Sequence, residues 1–134
     1  MKKISLILLP FFALLIFVLP GCDKTTQEPV CDYHVRAYVT SVTGTTTALV
    51  NQEIDVNVFF GVVNSCGLFE SFTETTTGNS TTINVSARYN GCYCTQLPQT
   101  RNTVYKFKRT AAGTYNLLFY LSESSFLTYT ITVT

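Results

Sequence analysis

Beyond Cys31, apolar side chains in this chain alternate with polar ones at every second residue, which is the spacing of a half-buried β-strand rather than of a helix. Val35, Ala37 and Val39 alternate with His34, Arg36 and Tyr38, and Ile54, Val56, Val58 and Phe60 with Glu53, Asp55, Asn57 and Phe59. Further on, Ile83, Val85, Ala87 and Tyr89 form one set, and Thr103, Tyr105 and Phe107 another. The last two sets are Tyr115, Leu117, Phe119 and Leu121, then Leu127, Tyr129, Ile131 and Val133. Residues 68–75 make a weaker run whose inward face the pattern leaves open. Turn-forming residues separate the runs: Thr43-Gly44, Asn64-Ser65, Gly78-Asn79, Asn90-Gly91, Gly113 and Ser122 to Ser125. Seven short strands in about 105 residues predict an all-β, two-sheet sandwich. The 22 threonines beyond Gly21 suit strands through their branched β-carbon.

The first 21 residues do not share this pattern. Lys2 and Lys3 precede Ile4 to Leu19, an apolar stretch interrupted only by Ser5 and Pro10. A spanning helix needs roughly 20 apolar residues, and this stretch is shorter, so it reads as an export signal. Leu19-Pro20-Gly21-Cys22 resembles a bacterial lipobox. That resemblance implies cleavage before Cys22, lipidation of Cys22 and anchoring to a bacterial membrane in the cell envelope, with the outer membrane or cell surface preferred. Several acyl chains hold a protein firmly where one does not. Residues 1–21 are then a signal peptide, 22–30 a lipidated cysteine with its tether, and 31–134 one domain. The tether Asp23 to Val30 spans at most ~26 Å. Without Lys2 and Lys3, seven basic residues face eight acidic ones, a net charge of −1. Such a chain offers no electrostatic footprint for nucleic acid.

Gly113-Thr114-Tyr115 at the start of the sixth run resembles the tyrosine corner of immunoglobulin-like domains, with Tyr115 as the corner. The whole chain resembles the small immunoglobulin-like lipoproteins of Bacteroidota. The resemblance implies a seven-stranded immunoglobulin-like β-sandwich. Leu117 stands where antibody domains carry their second inter-sheet cysteine, so that bridge is absent.

With Cys22 assigned to lipid, Cys31, Cys66, Cys92 and Cys94 remain, an even number suited to disulfides in an exported domain. The immunoglobulin-like order places the start of the first strand, the second-to-third loop and the fourth-to-fifth loop at one end. That order gathers all four thiols there. Cys31–Cys92 with Cys66–Cys94 is the preferred pairing, and Cys31–Cys94 with Cys66–Cys92 the alternative. A rival arrangement takes Cys31, His34, Cys92 and Cys94 as a zinc-like set. The expectation adopted is disulfides, with no metal and no cofactor.

Asp32 and His34 share a strand face, which invites a catalytic dyad, but they fit a solvent-facing stripe with Arg36 and Tyr38. Glu70 and Glu74 are placed on one face of the third run, ~13 Å apart and too far for glycosidase geometry. Neither a nucleophile elbow nor a phosphate loop occurs. The chain therefore reads as a non-catalytic binding or adhesion module for a protein or glycan ligand. The alternative is a structural accessory subunit of an envelope complex. Two candidate surfaces follow: the hydroxyl-rich loops 43–51 and 75–82, and an outer face bearing Phe72, Leu118 and Tyr120.

Overall fold

The computed structural model describes residues 31–134, so Cys22, the leader and the tether lie outside the described residues. Nine strands follow in order: β1 (Asp32–Ala37), β2 (Val39–Gly44), β3 (Thr47–Ala48), β4 (Ile54–Val62), β5 (Gly67–Thr77), β6 (Ser80–Asn90), β7 (Gln99–Phe107), β8 (Gly113–Tyr120) and β9 (Phe126–Val133). They form two sheets packed face to face. One has three strands in the order β2-β4-β7. The other runs β1-β6-β8-β9-β3, with β5 also paired to β6. All seven predicted runs are strands, and the count of seven is corrected to nine.

The core lies between the sheets and is built from the alternating sets. Val56, Val58 and Phe60 of β4 face Ile83, Val85 and Ala87 of β6, Leu117 and Phe119 of β8, and Ile131 of β9, all essentially without solvent exposure. Burial of a large apolar side chain stabilises by roughly 1.5–3 kcal/mol, so this layer dominates the fold's stability.

Four departures from the sequence pattern have local causes. The first predicted strand divides at Tyr38, with β1 pairing β6 antiparallel and β2 pairing β4 in the other sheet. Ala37 and Val39 both stay buried across the break. The alternation is therefore kept while the chain changes layer, and a period-two pattern cannot reveal the change. Six strands face three, so the wider sheet overhangs. Val35, predicted inward, is 42% exposed on that overhang. Leu121 also falls outside the core, because β8 ends at Tyr120.

The second departure is β3, which converts part of the 43–51 loop into sheet by pairing parallel with β9. The third concerns strand order. In the immunoglobulin arrangement the third main strand lies beside the sixth. Here β6, the fourth, takes that place and runs parallel to β8. Ile83, Val85, Ala87 and Tyr89 give β6 a complete apolar face for a central position. Threonine-rich β5, carrying Glu70 and Glu74, is left at the edge, paired on one side only.

The fourth departure is a bulge in β5. Phe69 pairs with Ala87 but Ser71 pairs with Ser86, so Glu70 is an extra residue. The bulge shifts the face of every later β5 residue. At the start of β5, Gly67 is required by close approach, since a Cβ there would lie 2.6 Å from Val62 Cβ and 2.8 Å from Tyr89 Cε1. Gly78, at φ 57°, turns the β5–β6 hairpin.

Candidate functional site

β1, β5 and β6 present a polar surface on the outer face of the wide sheet. Arg88 on β6 donates from Nε to Asp32 Oδ1 at 2.8 Å and pairs its Nη2 with Oδ2, a two-point contact across to β1. That hydrogen bond holds the Asp32 carboxyl below the ordinary carboxylate range. His34 Nδ1 lies 2.7 Å from Glu70 Oε1, and the Ser86 hydroxyl donates to Glu70 Oε2 at 2.8 Å. The His34 contact, then the Ser86 contact, depress the Glu70 pKa. Asp32 and His34 thus turn to separate partners rather than to each other. Arg36 donates from Nε to Asn84 Oδ1 at 2.6 Å.

The same guanidinium stacks over the Tyr120 ring, 4.1 Å from its centroid. Tyr120 pairs across the β8–β9 hairpin with Phe126, their ring centroids 4.6 Å apart. Leu118 lies two residues back on the same face of β8. Leu118, Tyr120, Phe126 and Arg36 therefore make a cation–aromatic platform beside the polar surface. Sequence reasoning placed Leu118 and Tyr120 there but missed Phe126 and Arg36. The signal for Phe126 was the serine turn, whose hairpin register sets it opposite Tyr120.

Phe72 is not part of this platform, a correction to the predicted surface. Because of the bulge it pairs with inward-facing Val85 and packs on the core. Its ring lies 4.7 Å from Phe69 and 5.3 Å from Tyr105, the latter at 89°. The bulge also separates the two glutamates that the sequence pattern put on one face. Glu70 turns outward to His34, whereas Glu74 pairs with inward-facing Ile83 and accepts a hydrogen bond from the Tyr105 hydroxyl at 3.0 Å. Burial pushes the Tyr105 pKa up, and the neighbouring Glu74 charge adds to it.

At one end of the sandwich the cysteines pair Cys31–Cys92 and Cys66–Cys94, with Cα separations of 4.8 and 5.6 Å. These bridges use all three thiols of the rival zinc arrangement, Cys31, Cys92 and Cys94, together with Cys66. They surround a cleft of about 210 Å³ lined by Tyr33, Asn64, Tyr89 and Gln96 as well as cysteines. Tyr33 stacks on Tyr89 with centroids 4.8 Å apart, and the Tyr89 hydroxyl accepts from the Val63 amide at 3.0 Å. The 63–66 and 91–98 loops are joined by Ser65 N to Thr95 O at 3.1 Å and by Thr95 N to Ser65 Oγ at 2.9 Å. Arg101 donates to the carbonyls of Ser65 and Gly67.

The opposite end is more ordered than a pair of open loops. Thr132 N donates to Thr46 O, Val50 N to Thr134 O and Asn51 N to Arg109 O, so the 43–51 segment is tied down. Residues 75–82 are strand except at Gly78 and Asn79. Nearby, the Tyr115 hydroxyl donates to the Ala111 carbonyl at 3.0 Å, four residues upstream, the hydrogen bond of a tyrosine corner. Arg109 reaches the Thr81 hydroxyl at 2.9 Å and lies over the rings of Phe107 and Tyr115.

No curated protein and no solved structure matches the chain. The family model of the ORF11 beta-sandwich domain matches residues 54–133, from the first residue of β4 to the last of β9. With that match covering more than half of its length, the chain belongs to the ORF11 beta-sandwich domain family.

Proposed function

We propose that this chain is a lipid-anchored cell-envelope protein whose sandwich serves as a non-catalytic binding module. The observation that carries this reading is the polarity of the domain. Cys31, where the described chain begins, is held with both disulfides at one end. A short tether from a lipidated Cys22 would keep that end near the membrane and leave the outer sheet face accessible from the side. The disulfides fit an oxidising compartment outside the cytoplasm. Residues 1–21 act as the signal peptide, and the lipobox resemblance puts the anchor on a bacterial membrane, with the outer membrane or cell surface preferred.

The binding surface is the platform of Arg36, Leu118, Tyr120 and Phe126. Exposed aromatic edges beside amide and hydroxyl groups suit a sugar ring or a protein loop. A glycan array and a pull-down from solubilised membranes, both with the full chain, test this. Recovery of a ligand by the native chain and its loss in a Phe126→Ala, Leu118→Ala variant is the expected result. Recovery of nothing by either method overturns the binding reading. Mass analysis of the native and Cys22→Ser chains tests the anchor, since an unmodified native Cys22 overturns it.

A second reading, a structural accessory subunit, is favoured by the open edge of β5, eleven residues long and mostly exposed. A partner strand can add to such an edge through backbone hydrogen bonds. Co-purification at fixed stoichiometry, abolished by a proline within β5, distinguishes this role from ligand display.

A further inference from the structure

We infer that the disulfide end is itself a membrane-contacting surface, with Tyr93, Leu97, Val63 and Leu68 seated in the headgroup region of a phospholipid bilayer. This inference rests on the lipid anchoring proposed above. Tyr93 is wholly exposed, and Leu97, Val63 and Leu68 are each about 60% exposed. Segments 63–68 and 91–98, which carry these side chains, contain no Asp, Glu, Lys or Arg. Val63 and Leu97 flank the last rung of the β4–β7 pair, Val62 opposite Gln99. Tyr93 lies between Cys92 and Cys94, whose bridges tie both neighbours back into the fold.

Three features point to a bilayer as the occupant. Eight tether residues between Cys22 and Cys31 limit the separation of this end from the acyl chains to ~26 Å. Tyrosine and leucine are suited to the membrane interface, tyrosine through its apolar ring and polar tip. The surface is also rigid. The Cys66–Cys94 bridge, the Ser65–Thr95 hydrogen bonds and the Arg101 contacts keep the apolar groups from folding inward. Docking then requires little ordering.

The chain contains no tryptophan, so a single Tyr93→Trp substitution in the full-length protein gives a clean probe. Leu49→Trp, at the opposite end and 64% exposed, is the control. Each chain is reconstituted in phosphatidylcholine vesicles, with and without bromine on the acyl chains near the headgroup. The expected result is blue-shifted emission for Tyr93→Trp, quenched by the brominated lipid, and water-like, iodide-quenched emission for Leu49→Trp. A chain that floats with the vesicles while both probes remain water-like overturns the contact surface and leaves the anchor standing. Blue-shifted Tyr93→Trp emission without bromine quenching, accompanied by a cross-linked dimer, overturns it in favour of a second copy. A chain with no lipid mass that stays in the aqueous fraction overturns both readings.

Discussion

Replacing Phe72 with Ala tests the bulge that sets the inner face of β5. If Glu70 were not an extra residue, Phe72 would lie on the solvent face, where truncation changes stability by no more than about 0.5 kcal/mol. In the structure its ring is half-buried against the core, edge-on to Tyr105 and tilted against Phe69. Truncating a fully buried Phe costs about 3–5 kcal/mol. Half of that is about 2 kcal/mol, and losing the edge-on aromatic contact adds about 0.5–1.5 kcal/mol. The expected loss is therefore about 2.5–3.5 kcal/mol. Urea unfolding followed by circular dichroism reads it as a lower midpoint at an unchanged slope. Leu118→Ala, on the opposite face of the same sheet, is the control and should lose markedly less. A Phe72→Ala chain within about 0.5 kcal/mol of the native protein would refute the inward placement.

Three further outcomes are expected. Removing Cys31–Cys92 by paired alanine substitution should cost about 4 kcal/mol and removing Cys66–Cys94 about 3.5 kcal/mol, from closed loops of 61 and 28 residues; non-reducing denaturation measures both, and equal or reversed costs contradict the chain-entropy argument. Tyr115→Phe should lose about 1 kcal/mol by deleting one hydrogen bond while keeping the ring, read as a fall in thermal midpoint. Asp32 and Glu70 both have folded-state pKa values below their ordinary 3.8 and 4.5, so the unfolded chain binds more protons in acid. Their stabilisation is thus present above about pH 5 and lost as pH falls through the depressed values, and Arg88→Ala should flatten the Asp32 part of that loss in an acid titration of stability.

Position along the strands was legible in the sequence because burial on one face writes itself as alternation. Val56, Val58 and Phe60, or Leu117 and Phe119, could hardly face outward without exposing a whole stripe. What alternation does not carry is which sheet receives a strand. Ala37 and Val39 are inward whether or not the chain changes layer between them, so the break at Tyr38 leaves no trace. Parity also fails silently at a bulge: Glu70 adds one residue, and Phe72 and Glu74 exchange faces with their expected positions. The platform was half legible. Leu118 and Tyr120 follow from β8, whereas Arg36 and Phe126 reach it from strands distant in sequence, through pairing that no local pattern records. Cys31–Cys92 and Cys66–Cys94 were within reach because the immunoglobulin-like order that the resemblance implied gathers the four thiols at one end, with one alternative pairing left open.

The order of the cysteines along the chain has a temporal consequence. In a chain delivered amino terminus first into an oxidising compartment, Cys31 and Cys66 are both present before either Cys92 or Cys94 arrives. With Cys22 taken by lipid as proposed, the first bridge that can close is therefore Cys31–Cys66, which the folded protein does not contain. Cys92 and Cys94 then arrive almost together, one residue apart, each able to attack that bridge as a thiolate. Attack on Cys31 by Cys92 releases Cys66 as a thiolate, which a second two-electron oxidation by the compartment's thiol oxidant joins to Cys94, whereas the reverse choice leads to the other pairing. Correct maturation thus turns on which of two adjacent thiols reaches which sulfur, and β1 docking beside β6, with Asp32 set opposite Asn90, is what brings Cys31 to Cys92.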